Sequence, residues 1–318
     1  MMYMKRITSE EYRTLIGSHN RIFYNSAEFI ELNRDKTDEI FYTAALEDES
    51  PRFIFAFGVR DDTARSPFSA PFAIPVSLRK KPGLKHYDEA ADSLEEFAHL
   101  NHWKQIRFTF PPMFYFREEL SAWLNTFYRR GWMIMNTDIN YALNLNEVYS
   151  DDYMKNIIMY NAKKNLKTAM KSNLQLLRCM NDDDTLRAYN VIAENRAGKG
   201  FPLRMSYEQV MNTVKLVEHE MFIVRHENDD IASALVYRVS GDTAQVIYWG
   251  DRLEFRKFRP INFLSYNLIQ FYGSQGLSWL DIGPSTEDSV PNYGLCDFKE
   301  SIGCKRELKY SVSKIFRQ

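Results

Sequence analysis

Residues with chemically useful side chains are concentrated in one stretch near the end of the chain, which reads WLDIGPSTEDSVPNYGLCDFKESIGCK over 279–305. A short strand is predicted over 279–282. Breaks at Gly283-Pro284, Pro291 and Gly294 predict a polar loop and a hairpin tipped by Lys299. Loops at strand ends are common sites of chemistry, so we expect one pocket to gather five side chains: Asp281, Ser285, Asn292, Tyr293 and Lys299. The alternative is an ordinary surface loop with a satisfied lysine.

A second candidate site precedes a predicted helix that begins at Pro260. The start of a helix presents unpaired N–H groups and favours anions, and basic residues cluster just before this one. The sequence therefore predicts that a phosphate or pyrophosphate is held here, across one cleft from Lys299, by Arg256, Lys257, Arg259, Ile261 and Asn262. The alternative is a solvated, charge-rich turn.

Several other chemistries lack support. His99 and His102 have helical spacing but no third ligand nearby, so no metal site is predicted. Cys296 has no histidine close in sequence, and a small buried cysteine is favoured over a nucleophile. The chain contains no GxSxG, GxxxxGK[ST] or GxGxxG motif, which argues against the corresponding hydrolase, P-loop and Rossmann sites.

Length and composition indicate the class of protein. A chain of 318 residues exceeds the usual size of one domain. A net charge of -1 gives no global basic field to attract nucleic acid. Three cysteines without metal-ligand spacing suggest a reducing compartment. The polar N-terminus is not typical of a signal peptide. The sequence contains no run of about 18 apolar residues, so no membrane span is predicted. We expect a cytoplasmic enzyme or binding protein without membrane contact.

The elements that must position these residues fall into two halves, 1–148 and 149–318. In the first half, apolar periodicity and turn residues predict helices over 9–16, 26–33, 88–100 and 118–130, and strands over 40–47, 53–60, 105–110 and 132–145. The proline-bounded segment 66–72 cannot be a central strand and is predicted to be a rigid loop over a surface or pocket.

In the second half, the patterns predict one long helix over 153–173 and further helices over 184–197, 206–219 and 260–272. Lysines at 163, 164, 167 and 171 form a basic face on the long helix, either solvated or binding an anion. Strands are predicted over 174–179, 221–225, 231–239, 243–249, 279–282 and 309–315. Strands separated by helices in each half predict an α/β fold with mixed sheets.

Residues near the end of the chain resemble the C-terminal half of Fem-like (FemAB/FemX-type) acyltransferases, within the GNAT superfamily. The resemblance rests on Trp249-Gly250-Asp251, the helix opening at 260–264, the strand at 280–283, and Tyr293-Gly294-Leu295 followed by Phe298-Lys299 and Ile302-Gly303. The loop at 66–72 also looks like the proline-bounded loop in the first half of such proteins. The resemblance implies two tandem GNAT-like domains, of which the second carries transfer.

The resemblance also implies roles for residues. Phe298-Lys299 matches the family's Phe-Lys pair near the transfer centre, where Lys299 would stabilise the negative charge of a tetrahedral intermediate. Asp281 and Asp251 are then candidates for the base, and Tyr248 or Tyr293 for the proton donor to the leaving group. The expected substrate contacts are Trp249, Ser285, Asn292 and Phe298.

The predicted reaction is transfer of an acyl group from a thioester donor, acetyl-CoA or another acyl-CoA, to a small-molecule or peptide amine. The segment 256–261 lacks the glycine-bearing loop of a conventional acetyl-CoA site. One alternative is an aminoacyl-tRNA donor, as in cell-wall Fem enzymes, although the near-neutral charge disfavours tRNA and no coiled-coil arm is evident. The other is a non-catalytic binding protein that retains the fold. The sequence does not determine the acceptor or the oligomeric state.

Overall fold

The computed structural model describes residues 2–19, 21–201 and 203–316. The chain forms two compact units, one comprising Met1–Asp138 with Glu307–Gln318 and the other Ile139–Arg306. The chain therefore enters the second unit after residue 138 and leaves it after residue 306. The boundary that the sequence predicts after residue 148 separates two domains, whereas these units are defined by compactness alone. It stays a prediction, because compactness alone does not establish a domain that folds by itself.

Within its described residues, the first unit contains four α-helices, six complete strands and parts of the strands β7 and β15. In chain order these are β1 (Tyr3–Ile7), α1 (Ser9–Ile16), α2 (Ala27–Leu32), β2 (Glu39–Glu47), β3 (Ser50–Arg60), β4 (Thr63–Ser66), β5 (Val76–Ser77), α3 (Leu84–Leu100), β6 (Gln105–Thr109) and α4 (Arg117–Arg129). The strand β7 (Met133–Asn144) leads into the second unit.

The second unit continues from β7 with α5 (Leu145–Val148), α6 (Tyr160–Met170), β8 (Leu174–Arg178), α7 (Asp182–Gly198), α8 (Tyr207–Val214), β9 (His219–His226), β10 (Asp229–Arg238), β11 (Thr243–Asp251), α9 (Pro260–Ser274), β12 (Trp279–Pro284), β13 (Thr286–Glu287), β14 (Val290–Pro291) and α10 (Tyr293–Ser301). The last strand, β15 (Lys305–Ile315), returns to the first unit.

The sheet of the first unit has the order β1-β2-β3-β4-β6-β15, with β5 also paired to β3. Its neighbours are antiparallel except for β4 and β6. The turn between β2 and β3 places Asp48 and Glu49 at positive φ, a conformation that short hairpin turns use. Aromatic side chains fill the core, and the rings of Phe53 and Trp123 lie 5.4 Å apart.

Most predicted elements of the first unit are present with small changes in bounds. The helix predicted over 26–33 is α2, and Ser26 caps it by accepting from the N–H of Phe29. The helix over 9–16 is capped by Thr8, one residue before the expected serine, in a capping box with Glu11. Residues 66–70 of the predicted loop line a narrow pocket with about 380 Å³ of empty volume, part of it open solvent.

The sheet of the second unit has the order β7-β12-β11-β10-β9-β8. All its neighbouring pairs are antiparallel except β11 with β12. The helix α9 connects these two parallel strands, and its Leu264, Leu268 and Ile269 are fully buried in the apolar core of this unit. Burial of one apolar stripe explains why the 260–272 pattern forms a helix.

One helix prediction is wrong. Residues 153–173 do not form a single helix, because a short π-helical turn over Tyr153–Ile157 is separated from α6 by extended backbone at Ile158 and Met159. The N–H of Met159 donates to the carbonyl of Ser301 over 2.9 Å, and the Tyr153 hydroxyl donates to the carbonyl of Ile302 over 3.1 Å. These contacts with a distant part of the chain outweigh the local helical preference.

The loop and lysine-tipped hairpin predicted after β12 are also corrected. Residues 293–301 form α10, and Lys299 lies in its last turn. Asn292 begins the helix by accepting from the N–H of Leu295 over 3.1 Å, which is the contact an N-cap makes. The hairpin that does form is the two-residue pairing of β13 with β14.

Candidate functional site

The site begins where β11 and β12 stop pairing. These parallel strands pair over three residues only, from Thr243 opposite Trp279 to Gln245 opposite Asp281. Just beyond that point β11 has a bulge against β10, and β12 has one against β7. Bulges bend strands and end pairing. Among the described residues, no strand pairs with the facing edges of β11 and β12 beyond this point. Such edges can pair with an extended ligand.

Lys299 reaches from α10 to the end of β12. Its side chain is 2% exposed, and Nζ donates to the carbonyls of Gly283 over 2.8 Å and Pro284 over 2.9 Å. The Nζ atom also lies 5.5 Å from the centre of the Tyr141 ring. Burial lowers the pKa of Lys299 to about 8. An ammonium group is thus held next to the opening, with two of its three N–H bonds occupied.

Asp281 connects three strands beneath this lysine. It is fully buried, and it accepts from Asn140 Nδ2 over 2.7 Å, Gln245 Nε2 over 2.9 Å and the N–H of Gly283 over 2.8 Å. Its charge also favours the protonated form of Lys299. Three donors around one carboxylate explain how a charge is tolerated in this core. The contacts give Asp281 a strong orienting role.

Ser285, which follows β12, carries a buried hydroxyl. The residue is 3% exposed, and within the described ranges its Oγ has no hydrogen-bond partner. Its carbonyl accepts from the N–H of Asn292 over 2.8 Å and from Cys296 Sγ over 3.9 Å. A buried hydroxyl without a partner costs free energy. Cys296 is buried, as expected for a packing residue.

Sequence reasoning missed a second layer around Lys299. Glu300 accepts from the Tyr141 hydroxyl over 2.7 Å and from Arg306 Nε over 2.8 Å and Nη2 over 2.6 Å. The pKa of Glu300 is lowered by Arg306 and then by Tyr141, and burial raises the pKa of Tyr141. Nothing local in the sequence links Tyr141 to Glu300, which lies 159 residues away.

The end of β11 forms a second polar cluster with α7. Asn195 Nδ2 donates to the carbonyl of Asp251 over 2.5 Å and to its Oδ1 over 3.1 Å, and Lys199 Nζ donates to Asn195 Oδ1 over 2.9 Å. Burial lowers the pKa of Lys199. The Arg196 guanidinium lies 5.8 Å from the centre of the Tyr248 ring, and burial raises the pKa of Tyr248. These α7 residues were missed, although two basic residues at a helix end are a usable signal.

The predicted anion-binding residues lie around the start of α9. Arg256 Nε donates to Asp251 Oδ2 over 3.2 Å, so Arg256 belongs to the polar cluster at the end of β11. Arg259 adopts a left-handed conformation with φ 57° as the N-cap, and no side chain caps this helix. Lys257 Nζ lies 4.9 Å from the Phe258 ring. Ile261 packs on the apolar core, and Asn262 is 8% exposed.

The remaining predicted residues separate into two groups. The Trp249 and Phe298 rings lie 6.0 Å apart in an edge-to-face contact, which brings the end of β11 against the helix that carries Lys299. Tyr293 is 75% exposed, and Asn292 serves as the α10 cap. The structure therefore gathers most of the predicted residues along β11, β12 and α10, and it leaves Tyr293 on the surface.

A basic surface lies on α6. A depression with about 830 Å³ of empty volume, part of it open solvent, is lined by Tyr160, Lys163, Lys164, Lys167, Thr168 and Lys171. In the described part of the chain, none of the four ammonium groups has an acidic side chain within ion-pairing distance. The predicted basic face is therefore present and carries uncompensated positive charge.

The described residues offer neither a metal-binding cluster nor a membrane-spanning helix. Among residues 2–19, 21–201 and 203–316, no group of three or more histidine, cysteine or acidic side chains is arranged to hold a metal ion. None of the helices in those ranges is both long enough and apolar enough to span a bilayer.

No protein-family model and no curated protein matches this sequence. Solved structures do match its fold. The chain superposes on a crystal structure of FemX with a TM-score of 0.70, 14% sequence identity and coverage of 98% of this chain and 97% of the other. For L-PGS from Bacillus licheniformis the TM-score is 0.59 at 10% identity, with 99% and 94% covered.

A third match is a tandem GNAT protein from the clavulanic acid biosynthesis pathway, with a TM-score of 0.53, 9% identity and coverage of 99% and 98%. Together with FemX, it establishes the fold along the whole chain. The protein has a tandem GNAT fold with mixed α/β architecture, similar to that of FemX, which confirms the resemblance in fold and the fold class predicted from the sequence.

Proposed function

We propose that the second unit transfers an acyl group from a thioester donor to an amine acceptor. The observation that carries the proposal is the buried ammonium of Lys299 beside the place where β11 and β12 stop pairing. A donor with an extended, amide-containing arm can pair with the free strand edges there. Its carbonyl would then lie close to a fixed positive charge. The tandem GNAT fold is compatible with this chemistry but does not by itself assign it.

The reaction is balanced without another reagent. The amine nitrogen attacks the thioester carbonyl carbon, the C–N bond forms, and negative charge develops on the carbonyl oxygen. The C–S bond then breaks, and the thiolate takes up a proton. In this scheme the third N–H of Lys299 donates to the developing oxyanion, which a preorganised donor stabilises strongly. Its other two N–H bonds keep the ammonium fixed on Gly283 and Pro284.

A carboxylate accepts the proton that the attacking amine loses. Asp251 is 8% exposed and is oriented by Asn195 and Arg256, so we assign it as the base for the incoming amine. Asp281, the other candidate, has three donors and no exposure, which supports a positioning role. Tyr248 has a pKa raised by burial and therefore keeps its proton at neutral pH. It is our proton donor to the leaving group, and surface-exposed Tyr293 is the second candidate. After transfer, Asp251 releases the proton it took to solvent, and the proton donor regains one from solvent.

The proposed donor is acetyl-CoA or another acyl-CoA. Its pyrophosphate would lie at the start of α9, near Arg256, Lys257, Arg259, Ile261 and Asn262. The acyl group and acceptor would contact Trp249, Ser285, Asn292 and Phe298. Among these, the Trp249–Phe298 contact gives the best support. The proposed acceptor is a small-molecule or peptide amine.

The test combines calorimetry with a thiol-release assay. Acetyl-CoA and longer acyl-CoAs are titrated into the full chain, and thiol release is followed with a panel of primary amines. We expect binding, amine-dependent release, and at least about a hundredfold loss of turnover in Lys299→Met, as for removal of one oxyanion donor. The matched control is Lys215→Met, at an exposed lysine. Unchanged turnover in Lys299→Met would remove the proposed role of this residue.

The α6 surface favours a second candidate, an aminoacyl-tRNA ester as the donor. Four uncompensated lysines on one helix suit a phosphate backbone. Filter binding of uncharged tRNA should then weaken steeply with salt, and the slope should fall when Lys164, Lys167 and Lys171 are replaced by glutamine. If neither acyl-CoAs nor tRNA bind, the non-catalytic alternative is favoured, with which the missing glycine loop at 256–261 also agrees.

A further inference from the structure

The end of β11 presents different groups on its two faces, because successive side chains of a strand point to opposite faces of the sheet. A Cβ at Gly250 would lie 2.7 Å from the side chain of Asn195, so this position faces α7. Tyr248, two residues earlier in the same regular stretch, faces the same way. Trp249 lies between them and contacts Phe298 of α10. The end of β11 therefore has an α7 side and an α10 side.

Arg196 lies on the α7 side, and its charge is not paired. The guanidinium carbon is 5.8 Å from the centre of the Tyr248 ring, and the residue is half-buried. Its side chain makes no hydrogen bond and no ion pair with the residues that the structure describes. The acidic residue of α7 closest to it in sequence, Glu194, pairs with Arg252 instead. Because a guanidinium has five N–H donors, Arg196 offers a charged donor group beside Tyr248.

The charge of Arg196 acts on the two lysines of the candidate site. Burial lowers the pKa of Lys299 to about 8, and the positive charge of Arg196 adds to this effect. Burial also lowers the pKa of Lys199, and Arg196 again contributes. Like charges shift each other's pKa in this way when they are close together. Arg196 therefore lies near both ammonium groups.

Positive charge on the α7 side has no equal amount of negative charge to balance it. The carboxylate of this cluster, Asp251, already accepts from Asn195 and Arg256. Lys199 is exposed, donates to Asn195 over 2.9 Å and forms no ion pair within the described ranges. Arg196 and Lys199 are thus two cations with unused donors. A ligand that carries only an ammonium charge would be repelled here, whereas an anionic group would be attracted.

We propose that the acceptor is a primary amine that also carries a carboxylate, as an amino acid does, and that Arg196 and Lys199 bind this carboxylate on the α7 side. The proposal rests on the proposed function, because it names the acceptor of the same transfer. The planar guanidinium of Arg196 suits a bidentate contact with a carboxylate, and Lys199 supplies a second charged donor. The amine of the same molecule then faces the thioester carbonyl, and Asp251 accepts its proton.

Thiol release with matched acceptors tests the proposal. L-amino acids and the corresponding amino acid amides are supplied with acetyl-CoA. The ratio of kcat/KM for an amino acid to that for its amide is compared between the wild type and Arg196→Met, so that the different basicities of the two amines cancel. We expect this ratio to fall about tenfold or more in Arg196→Met, as for loss of one charge-assisted hydrogen bond. Arg196→Lys, which keeps the charge, should recover part of the ratio.

The matched control is Arg117→Met. Arg117 is an exposed arginine of the first unit and forms no ion pair with any described residue, so its replacement should leave the ratio at the wild-type value. An unchanged ratio in Arg196→Met would overturn the proposal. A higher KM for acetyl-CoA in Arg196→Met at a constant ratio would also overturn it, because Arg196 would then bind the phosphates of the donor.

Calorimetry without a donor separates the acceptor site from the transfer reaction. Amino acids at millimolar concentration should bind the full chain, and Arg196→Met should weaken this binding about tenfold. If binding behaves in this way while no amine supports thiol release, the proposed transfer is wrong and the carboxylate site stands. Thiol release with the same ratio in wild type and variant has the opposite meaning. No heat from any amino acid, together with no thiol release, overturns both.

Discussion

Replacing Lys299 by methionine should change the stability of the protein in a way that depends on pH. Burial lowers the pKa of Lys299 from 10.5 to about 8. Between these pH values the unfolded chain therefore binds more protons than the folded chain. Stability rises with pH wherever the unfolded state binds more protons. The wild-type protein should gain stability from this lysine as pH rises from 8 to 10.5, and Lys299→Met should lack that gain.

The size of the gain follows from the pKa. A pKa lowered from 10.5 to about 8 corresponds to about 3.4 kcal/mol, at about 1.36 kcal/mol per pKa unit. Roughly 2.5 kcal/mol of this falls between pH 7 and pH 10, because titration of the folded state begins near pH 7 and that of the unfolded state ends above pH 11. At pH 7, Lys299→Met should change the free energy of unfolding by less than the cost of burying the charge alone. The lost hydrogen bonds to Gly283 and Pro284 oppose the relief of that cost.

Urea unfolding at pH 7, 8, 9 and 10 measures the effect. The free energy of unfolding of Lys299→Met is subtracted from that of the wild type at each pH, so that the other titrating groups cancel. The difference should rise by about 2.5 kcal/mol over the range. Lys215→Met, which removes an exposed lysine, is the matched control. A level difference for Lys299→Met would refute the argument that burial destabilises its charge.

Two further substitutions probe the scaffold. Asp281→Asn should lower the free energy of unfolding by about 2–4 kcal/mol in urea, because the new amide nitrogen faces donors from Asn140, Gln245 or Gly283; a loss below about 0.5 kcal/mol would contradict this. Gly250→Ala should cost about 1–3 kcal/mol, because its Cβ would lie 2.7 Å from the side chain of buried Asn195. Gly241→Ala, with open space at that position, is the control, and equal melting temperatures for the two variants would exclude the predicted clash.

Elements with strong local signals could be predicted from the sequence. The capping box of Ser206 and Gln209 marks the start of α8, and Pro260 marks the start of α9, because these residues satisfy or avoid the unpaired N–H groups of a first turn. Apolar runs bounded by the turn residues at 228–230 and 240–242 likewise identify β9, β10 and β11. Local chemistry is enough at such positions.

Elements determined by distant contacts could not be predicted. The extended backbone before α6 depends on the hydrogen bond from the N–H of Met159 to the carbonyl of Ser301. The local sequence pattern at this place is that of a helix. In α10 the signals conflict, since Pro291 and Gly294 suggest a loop while Asn292 is a good cap. Burial of Lys299 and Cys296 in the core decides in favour of the helix.

The candidate site shows the same division. Lys299, Asp281 and Ser285 lie in one stretch of sequence, so their proximity could be predicted. Their partners Tyr141 and Asn140 come from β7, more than a hundred residues earlier. Such pairings depend on sheet order, which residue types and spacing do not determine.

The strand β15 has a consequence for biosynthesis. It pairs with β6 from Ser311 opposite Thr109 to Ile315 opposite Gln105, although some two hundred residues separate the paired positions. During synthesis, β6 emerges from the ribosome long before β15. The edge of β6 that pairs with β15 therefore stays exposed until residues 139–306 have been made. Exposed edges invite pairing with other chains. Ribosome-associated chaperones that shield nascent β-structure would therefore matter more for the first unit, whereas the uninterrupted 139–306 segment can complete its own sheet as it emerges.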